Sequence, residues 1–210
     1  MSIDLVLEED LKWREAELAS LKRLAINAPA DSITFRGLLR AMWAMLYGHF
    51  EGFSKYCWDT VLDRVQQAGI PTNNLSRDFM LLALEPSFQS HRGNLDGKSI
   101  WGYFGTALPA ALQETATFPI DARLKTESNL WPNIFERESK RIGITCVELD
   151  VHRTRIKTLV ARRNDIAHGK KMTIATLAEY HEYENAALCV MHELAIRAME
   201  VIEGETYKER

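Results

Sequence analysis

From Phe35 to Val65 the apolar residues Phe35, Leu38, Leu39, Met42, Leu46, Phe50, Phe53, Cys57, Val61 and Val65 recur at steps of three and four. That period lays them along one stripe of a long α-helix, whereas side chains on a strand alternate faces every two residues. A stripe of this kind has to be buried, and the rest of the chain offers helices to bury it. Ser32, with Asp31, is placed to cap this helix, and Gly69 and Pro71 end it. Residues 3–27 form a first helix through Leu11, Leu18, Leu21 and Ala25, stopped by Pro29. A helix over about 130–142 has Asn129 or Ser128 as cap, Pro132 in its first turn and Gly143 after it. Residues 151–168 follow Asp150 as cap, with Ile156, Leu159, Val160 and Ala167 inward and Gly169 at the stop. A last long helix runs from Thr173 to Ile202. The middle third is less regular, with a short helix from Leu75 to Leu84 before Pro86 and a weak one at 99–113 interrupted by Gly102, Gly105 and Pro109. No segment alternates as a strand would. The expected fold is an all-α antiparallel helical bundle in one domain over 1–210, its core in about 35–68 and 128–202 and an irregular insertion at about 70–127.

Composition removes several functional classes. Hydrophobic residues at 46% and charged residues at 26% are ordinary for a globular chain, and no apolar run reaches the roughly 18 residues that span a bilayer. Asp4, Glu8, Glu9 and Asp10 stand where a secretory signal needs basic residues, so the expected location is the cytoplasm, with no membrane partner. Cys57, Cys146 and Cys189 are odd in number and widely spaced, which indicates neither a disulfide framework nor a metal site; no cofactor is expected. The net charge of -3 gives no global field for nucleic acid. From Val151 to Lys171, however, seven basic residues face the single acid Asp165, a local +6.

Inside that basic stretch lies Arg163-Asn164-Asp165-Ile166-Ala167-His168, closed by Gly169. An arginine beside a histidine is the smallest set of groups that cleaves a phosphodiester without metal: a fixed cation for the phosphorane charge and a proton carrier near neutrality. Asn164 and His168, four apart, share a helix face, while Arg163 lies about 140° round the helix from His168 and must extend to converge. The bland alternative is a helix-ending histidine that caps carbonyls and an arginine in a salt bridge. Arg162, Lys170 and Lys171 are candidate RNA phosphate contacts, or plain surface charge. RNA transesterification gains from both a base and an acid, and the motif has one histidine. A two-fold homodimer that brings two motif helices together supplies the second.

The Arg-Asn-x-x-x-His pattern resembles the signature of the HEPN superfamily of all-helical RNA-cleaving and nucleotide-binding domains. Tyr47-Gly48-His49-Phe50-Glu51-Gly52-Phe53 resembles the Tyr-Ala-His-Trp-Glu-Gly-Phe segment of a bacterial branch related to RiboL-PSP and MAE-type HEPN proteins, departing from it at Gly48 and Phe50. With Asn129-Leu130 before the penultimate helix, the resemblance covers roughly 35–200 and is weakest at 70–120. It implies a HEPN-like bundle and a metal-independent endoribonuclease whose composite site, at a dimer interface, carries Arg163, Asn164 and His168. It further implies a toxin or phage-defence effector with a cognate antitoxin or defence-system partner. Tyr47 and Glu51, four apart, stand as supporting or catalytic residues: Glu51 pairs with Arg163 or holds His168, and His49, on another face, is structural. The alternatives are a non-catalytic HEPN-like module that binds RNA, a nucleotide or a protein, and a helical scaffold whose His168 is buried and capped.

Overall fold

A computed structural model describes residues 2–30, 32–93, 96–120, 123–171 and 176–209. Its elements in chain order are α1 (Ile3–Asn27), α2 (Ile33–Gln67), a 3-10 turn (Thr72–Asn74), α3 (Arg77–His91), α4 (Gly97–Gly102), a π turn (Tyr103–Ala107), α5 (Leu108–Gln113), α6 (Pro132–Lys140), α7 (Val147–Ala167) and α8 (Leu177–Glu203). The described residues contain no strand, only isolated bridges at Pro71–Thr115 and Leu75–Lys208. None of the described helices is long and apolar enough to cross a membrane.

Helix α2 is the spine, packed by α1, α7 and α8, while α1 and α7 each also lie on α8. Its stripe buries Trp43, Leu46, Phe50, Phe53, Cys57, Trp58, Val61 and Val65 completely. Ser32 caps it by accepting the Phe35 N–H at 3.0 Å; the expected share of Asp31 in that cap lies outside the described residues. Polar bonds from its aromatic residues fix the neighbours. The Trp43 indole donates to the Leu159 carbonyl of α7 at 3.1 Å, and the Trp58 indole to the Ser139 hydroxyl of α6 at 3.1 Å.

Three boundaries differ from expectation, in each case because a contact distant in sequence overrides the local preference. Helix α7 begins four residues before the expected 151, and the Glu148 N–H is accepted by Glu193 of α8 at 2.7 Å, so Asp150 lies in the first turn and is not the cap. Helix α6 begins after Trp131 without a side-chain cap, and Asn129 is engaged elsewhere. Helix α3 runs through Pro86 to His91. Phe88 and His91, beyond the proline, pack on the buried Tyr103 ring at centroid distances of 5.7 and 4.4 Å, and that packing opposes the lost backbone bond.

The expected irregular stretch is therefore largely helical. The widened turn at Tyr103–Ala107 precedes Pro109, whose ring would press on the carbonyl four residues back in a regular helix. Helix α8 is described from Leu177, with Thr176 accepting the Glu179 N–H at 3.0 Å; the expected start at Thr173 falls outside the described residues. Of the inward positions expected on α7, Ile156, Leu159 and Val160 are fully buried, and Ala167, in the last turn, is exposed.

Phe135 of α6 stacks on Phe50 and lies 5.7 Å from the Trp58 ring, with no exposed surface. Phe135→Ala is expected to lower stability by about 3–5 kcal/mol, seen as a fall in the urea midpoint with an unchanged slope.

Candidate active site

Helix α7 ends in a tight reversal built on Gly169, whose φ of +69° is open to glycine and strained for other residues. The Gly169 N–H reaches the Ile166 carbonyl at 3.0 Å and the Lys170 N–H the Asp165 carbonyl at 2.9 Å, the paired bonds of a Schellman stop. His168 is the residue at the cap, with its N–H on the Asn164 carbonyl at 2.9 Å. Its side chain is exposed, and among the described residues the imidazole has no hydrogen bond or ion pair. A scaffold role with a buried, capped imidazole does not describe this residue.

One and a half turns earlier Arg163 is partly buried and held on three sides. Its guanidinium donates to the Asn129 amide oxygen at 3.1 Å and to the Asn164 amide oxygen at 3.0 Å, and it sits 4.5 Å above the Tyr47 ring centroid. Among the described residues no carboxylate pairs with it. Asn164 thus acts on the arginine and not, as far as its side chain goes, on His168. Asn129 reaches the site through a loop in which Glu127 and Ser128 both have left-handed φ, +49° and +67°. Such angles in non-glycine residues cost of order 1 kcal/mol each or more, and they persist only where surrounding contacts impose them.

The upstream motif is the floor under this arginine. Tyr47 is fully buried, and its hydroxyl accepts the Leu130 N–H at 2.8 Å, which ties the loop before α6 to α2. Burial raises the Tyr47 pKa; the Leu130 bond opposes this, and the nearby Glu51 carboxylate, one turn on, reinforces it. Burial thus favours the neutral phenol, which serves as a π face and hydrogen-bonding pivot. Glu51 acts on Tyr47 through its charge, and the expected ion pair with Arg163 is not among the described contacts. Phe50 and Phe53 belong to the core. His49 is buried and faces α1, with Glu17 at 3.0 Å and the Arg14 guanidinium at 3.5 Å; burial, followed by the Arg14 charge, depresses its pKa.

The remaining basic residues are mostly neutralised. Arg153 pairs with Asp150 and Glu136 at 2.6 and 2.7 Å, Arg155 with Glu182 at 3.6 Å, and Lys170 with Asp165 at 2.7 Å. Arg162 pairs with Glu179 of α8 at 2.5 Å and stacks 5.0 Å over Trp43, so it joins α7 to α8. That leaves Lys157, Arg163 and Lys171 without a carboxylate partner among the described residues. Sequence reasoning missed two contributors: Asn129, read as a helix cap, and Arg40 of α2, which donates to the Lys170 carbonyl at 3.1 Å and steadies the turn after His168. The Asn129-Leu130 pair in the resembling segment was the available signal for the first.

An all-α bundle that presents an arginine, an asparagine and a terminal histidine on one helix has the form of a HEPN domain. The family model described as MAE_28990-like HEPN matches residues 5–207. The chain therefore belongs to this HEPN family, along nearly its whole length, including α1 and the segment 70–120 that the motifs did not reach. HEPN domains are commonly ribonucleases, and membership suggests RNA interaction and dimerisation. No curated protein and no solved structure matches the chain significantly.

The two glycines of the upstream motif are not equivalent. A Cβ on Gly48 meets nothing within 4 Å, whereas one on Gly52 lies 3.0 Å from the Arg14 guanidinium that Asp10 and His49 hold in place. Gly48→Ala is expected to raise stability by about 0.5–1 kcal/mol, while Gly52→Ala forfeits that gain by displacing Arg14. Thermal melts of the two variants beside the parent check the difference.

Proposed function

We propose that this protein is a metal-independent endoribonuclease of HEPN type, its site completed by a second copy of the chain across a two-fold axis. The observation that carries the reading is Arg163: a partly buried cation fixed by two neutral amide oxygens and an aromatic face, with no carboxylate among the described residues to cancel it, five residues before an exposed histidine on the same helix end. A guanidinium so placed keeps its charge and its free N–H groups for an incoming anion, and a phosphate oxygen fits the fork. Asn129 and Asn164 set its direction before substrate arrives, so less ordering is left for the reaction.

In the reaction the 2'-hydroxyl of one nucleotide attacks its own 3'-phosphorus while the bond to the next 5'-oxygen breaks. One imidazole removes the 2'-hydroxyl proton and another protonates the departing 5'-oxygen, giving a cyclic phosphate and a free 5'-hydroxyl. His168 fills one of these roles, and the same residue of a two-fold-related copy fills the other. Arg163 stabilises the added negative charge on the phosphorane oxygens. Lys171 and Lys170 extend the positive surface past the end of α7 for flanking phosphates, with Lys170 sharing its charge with Asp165 and Arg162 contributing from its pair with Glu179. Tyr47 and Glu51 act through Arg163 as positioning residues. A toxin or phage-defence effector, opposed by an antitoxin or tied to a defence partner, is the setting in which such an activity makes sense.

His168→Ala and Arg163→Ala are each expected to lower cleavage of a mixed-sequence RNA in EDTA by about 100-fold or more, with cyclic phosphate ends from the parent and no cleavage of DNA of the same sequence. Equal degradation by all three proteins would identify a contaminating nuclease and remove the catalytic assignment. The composite site further requires a solution mass near twice 24.0 kDa, measured by light scattering at micromolar concentration; a monomer with full activity would overturn it.

A further inference from the structure

We propose that Glu148 and His152 of α7, with Cys189 of α8, form a zinc-type metal site that clamps the start of α7 to the middle of α8. One ligand atom from each of the three residues falls within 4.8 Å of the other two, and all three are partly buried. Glu148 and His152 are four apart and share a face of α7, and α8 packs along that helix. His152 Nε2 stands 3.4 Å from Glu148 Oε2. With zinc bonds of about 2.0–2.2 Å to nitrogen and oxygen, two corners of a tetrahedron lie about 3.3–3.5 Å apart, so this edge already has the spacing a bound ion needs. A side-chain rotation of Cys189 closes the remaining distance.

The second observation is the state of the imidazole. The His152 side chain is only 14% exposed, its Nδ1 is buried without a hydrogen-bond partner, and no hydrogen bond forms from Nε2 among the described residues. A buried polar nitrogen left unpaired is destabilising, and such groups are uncommon unless an ion or water completes them. Ligation through Nδ1, after a ring rotation, supplies its missing partner, whereas ligation through Nε2 uses the edge with Glu148 and leaves Nδ1 as an N–H for a water molecule. The backbone beside the cluster is already held: Glu193, one turn after Cys189, accepts the Glu148 N–H at 2.7 Å and also engages Arg197. Glu193 is thereby committed, which leaves three protein ligands and a fourth position for water.

The donor set selects the ion. Sulfur with nitrogen and one carboxylate oxygen suits zinc, whereas magnesium and calcium take oxygen almost exclusively. On binding, Cys189 gives its thiol proton to solvent and ligates as thiolate. His152 and His168 are sixteen residues apart on α7, about 24 Å at 1.5 Å per residue, so the ion takes no part in the proposed RNA chemistry. It joins two helices that, among the described residues, are otherwise linked by packing, by the Glu148–Glu193 bond and by the Arg155 and Arg162 ion pairs. The sequence pointed away from a metal because its cysteines are widely spaced; the ligands come together only when α7 and α8 pack.

Metal-free protein titrated with cobalt(II) is the test. One equivalent per chain is expected, with tetrahedral ligand-field bands and a thiolate charge-transfer band, displacement by zinc(II), and a higher melting temperature in the metal-loaded form. Cys189→Ser should abolish the charge-transfer band, and His152→Gln should weaken binding by at least about 10-fold. His192→Ala, a surface histidine paired with Glu15, should leave binding unchanged. Circular dichroism of the metal-free variants confirms that they fold. Sub-stoichiometric binding by the parent, or a charge-transfer band that survives in Cys189→Ser, would overturn the proposal.

Discussion

Burial of α2 on three sides is the constraint from which the rest of the molecule follows. Each fully buried large side chain contributes about 1.5–3 kcal/mol of transfer free energy, and α2 carries Trp43, Tyr47, Phe50, Phe53 and Trp58 with no exposed surface. That burial is non-directional and would tolerate several arrangements of neighbouring helices. Direction comes from the polar tips of the same residues. The Trp43 indole fixes α7, the Trp58 indole fixes α6, and the Tyr47 hydroxyl fixes the loop at Leu130. Each such bond is worth only about 0.5–1.5 kcal/mol net, yet it sets which residues of α6 and α7 stand beside which turn of α2.

The site is a consequence of that register. Tyr47 faces the core with its ring and the loop with its oxygen, and the face left over is where the Arg163 guanidinium rests. A cation over a partly desolvated ring is held by about 0.5–2 kcal/mol without being neutralised. Two amide oxygens add direction and again no charge. The contrast lies with Arg153, Arg155 and Arg162 on the same helix, each paired to an acid of α6, α7 or α8. A stretch that reads as a +6 patch is mostly an ion-pair seam between helices, and among the described residues the charge not committed to that seam stands at Lys157, Arg163 and Lys171.

Much of this was legible in the chain. The stripe from Phe35 to Val65 marks α2, Pro29 and Gly69 punctuate it, and Gly169 announces the end of α7 beside His168. Tyr47, expected as a supporting residue, has the Arg163 guanidinium over its ring, whereas neither expected partner of Glu51, Arg163 or His168, is among its described contacts. What was misread has a common cause. Asp150 and Asn129 looked like helix caps because capping is a local preference, but Glu193 of α8 satisfies the start of α7 and Arg163 claims Asn129. Pro86 looked like a stop, and packing of Phe88 and His91 on Tyr103 carries α3 past it.

The amino-acid order by itself determined the helices, the stop after His168 and membership in a HEPN family, because periodicity, glycine conformation and short motifs act over a few residues. Tertiary structure decided which charges survive. Whether an arginine is cancelled or kept depends on acids and amides far away in sequence, and a Coulomb interaction is set by distance in space. The same holds for Glu148, His152 and Cys189, three unremarkable residues along the chain that become neighbours only when α7 lies against α8.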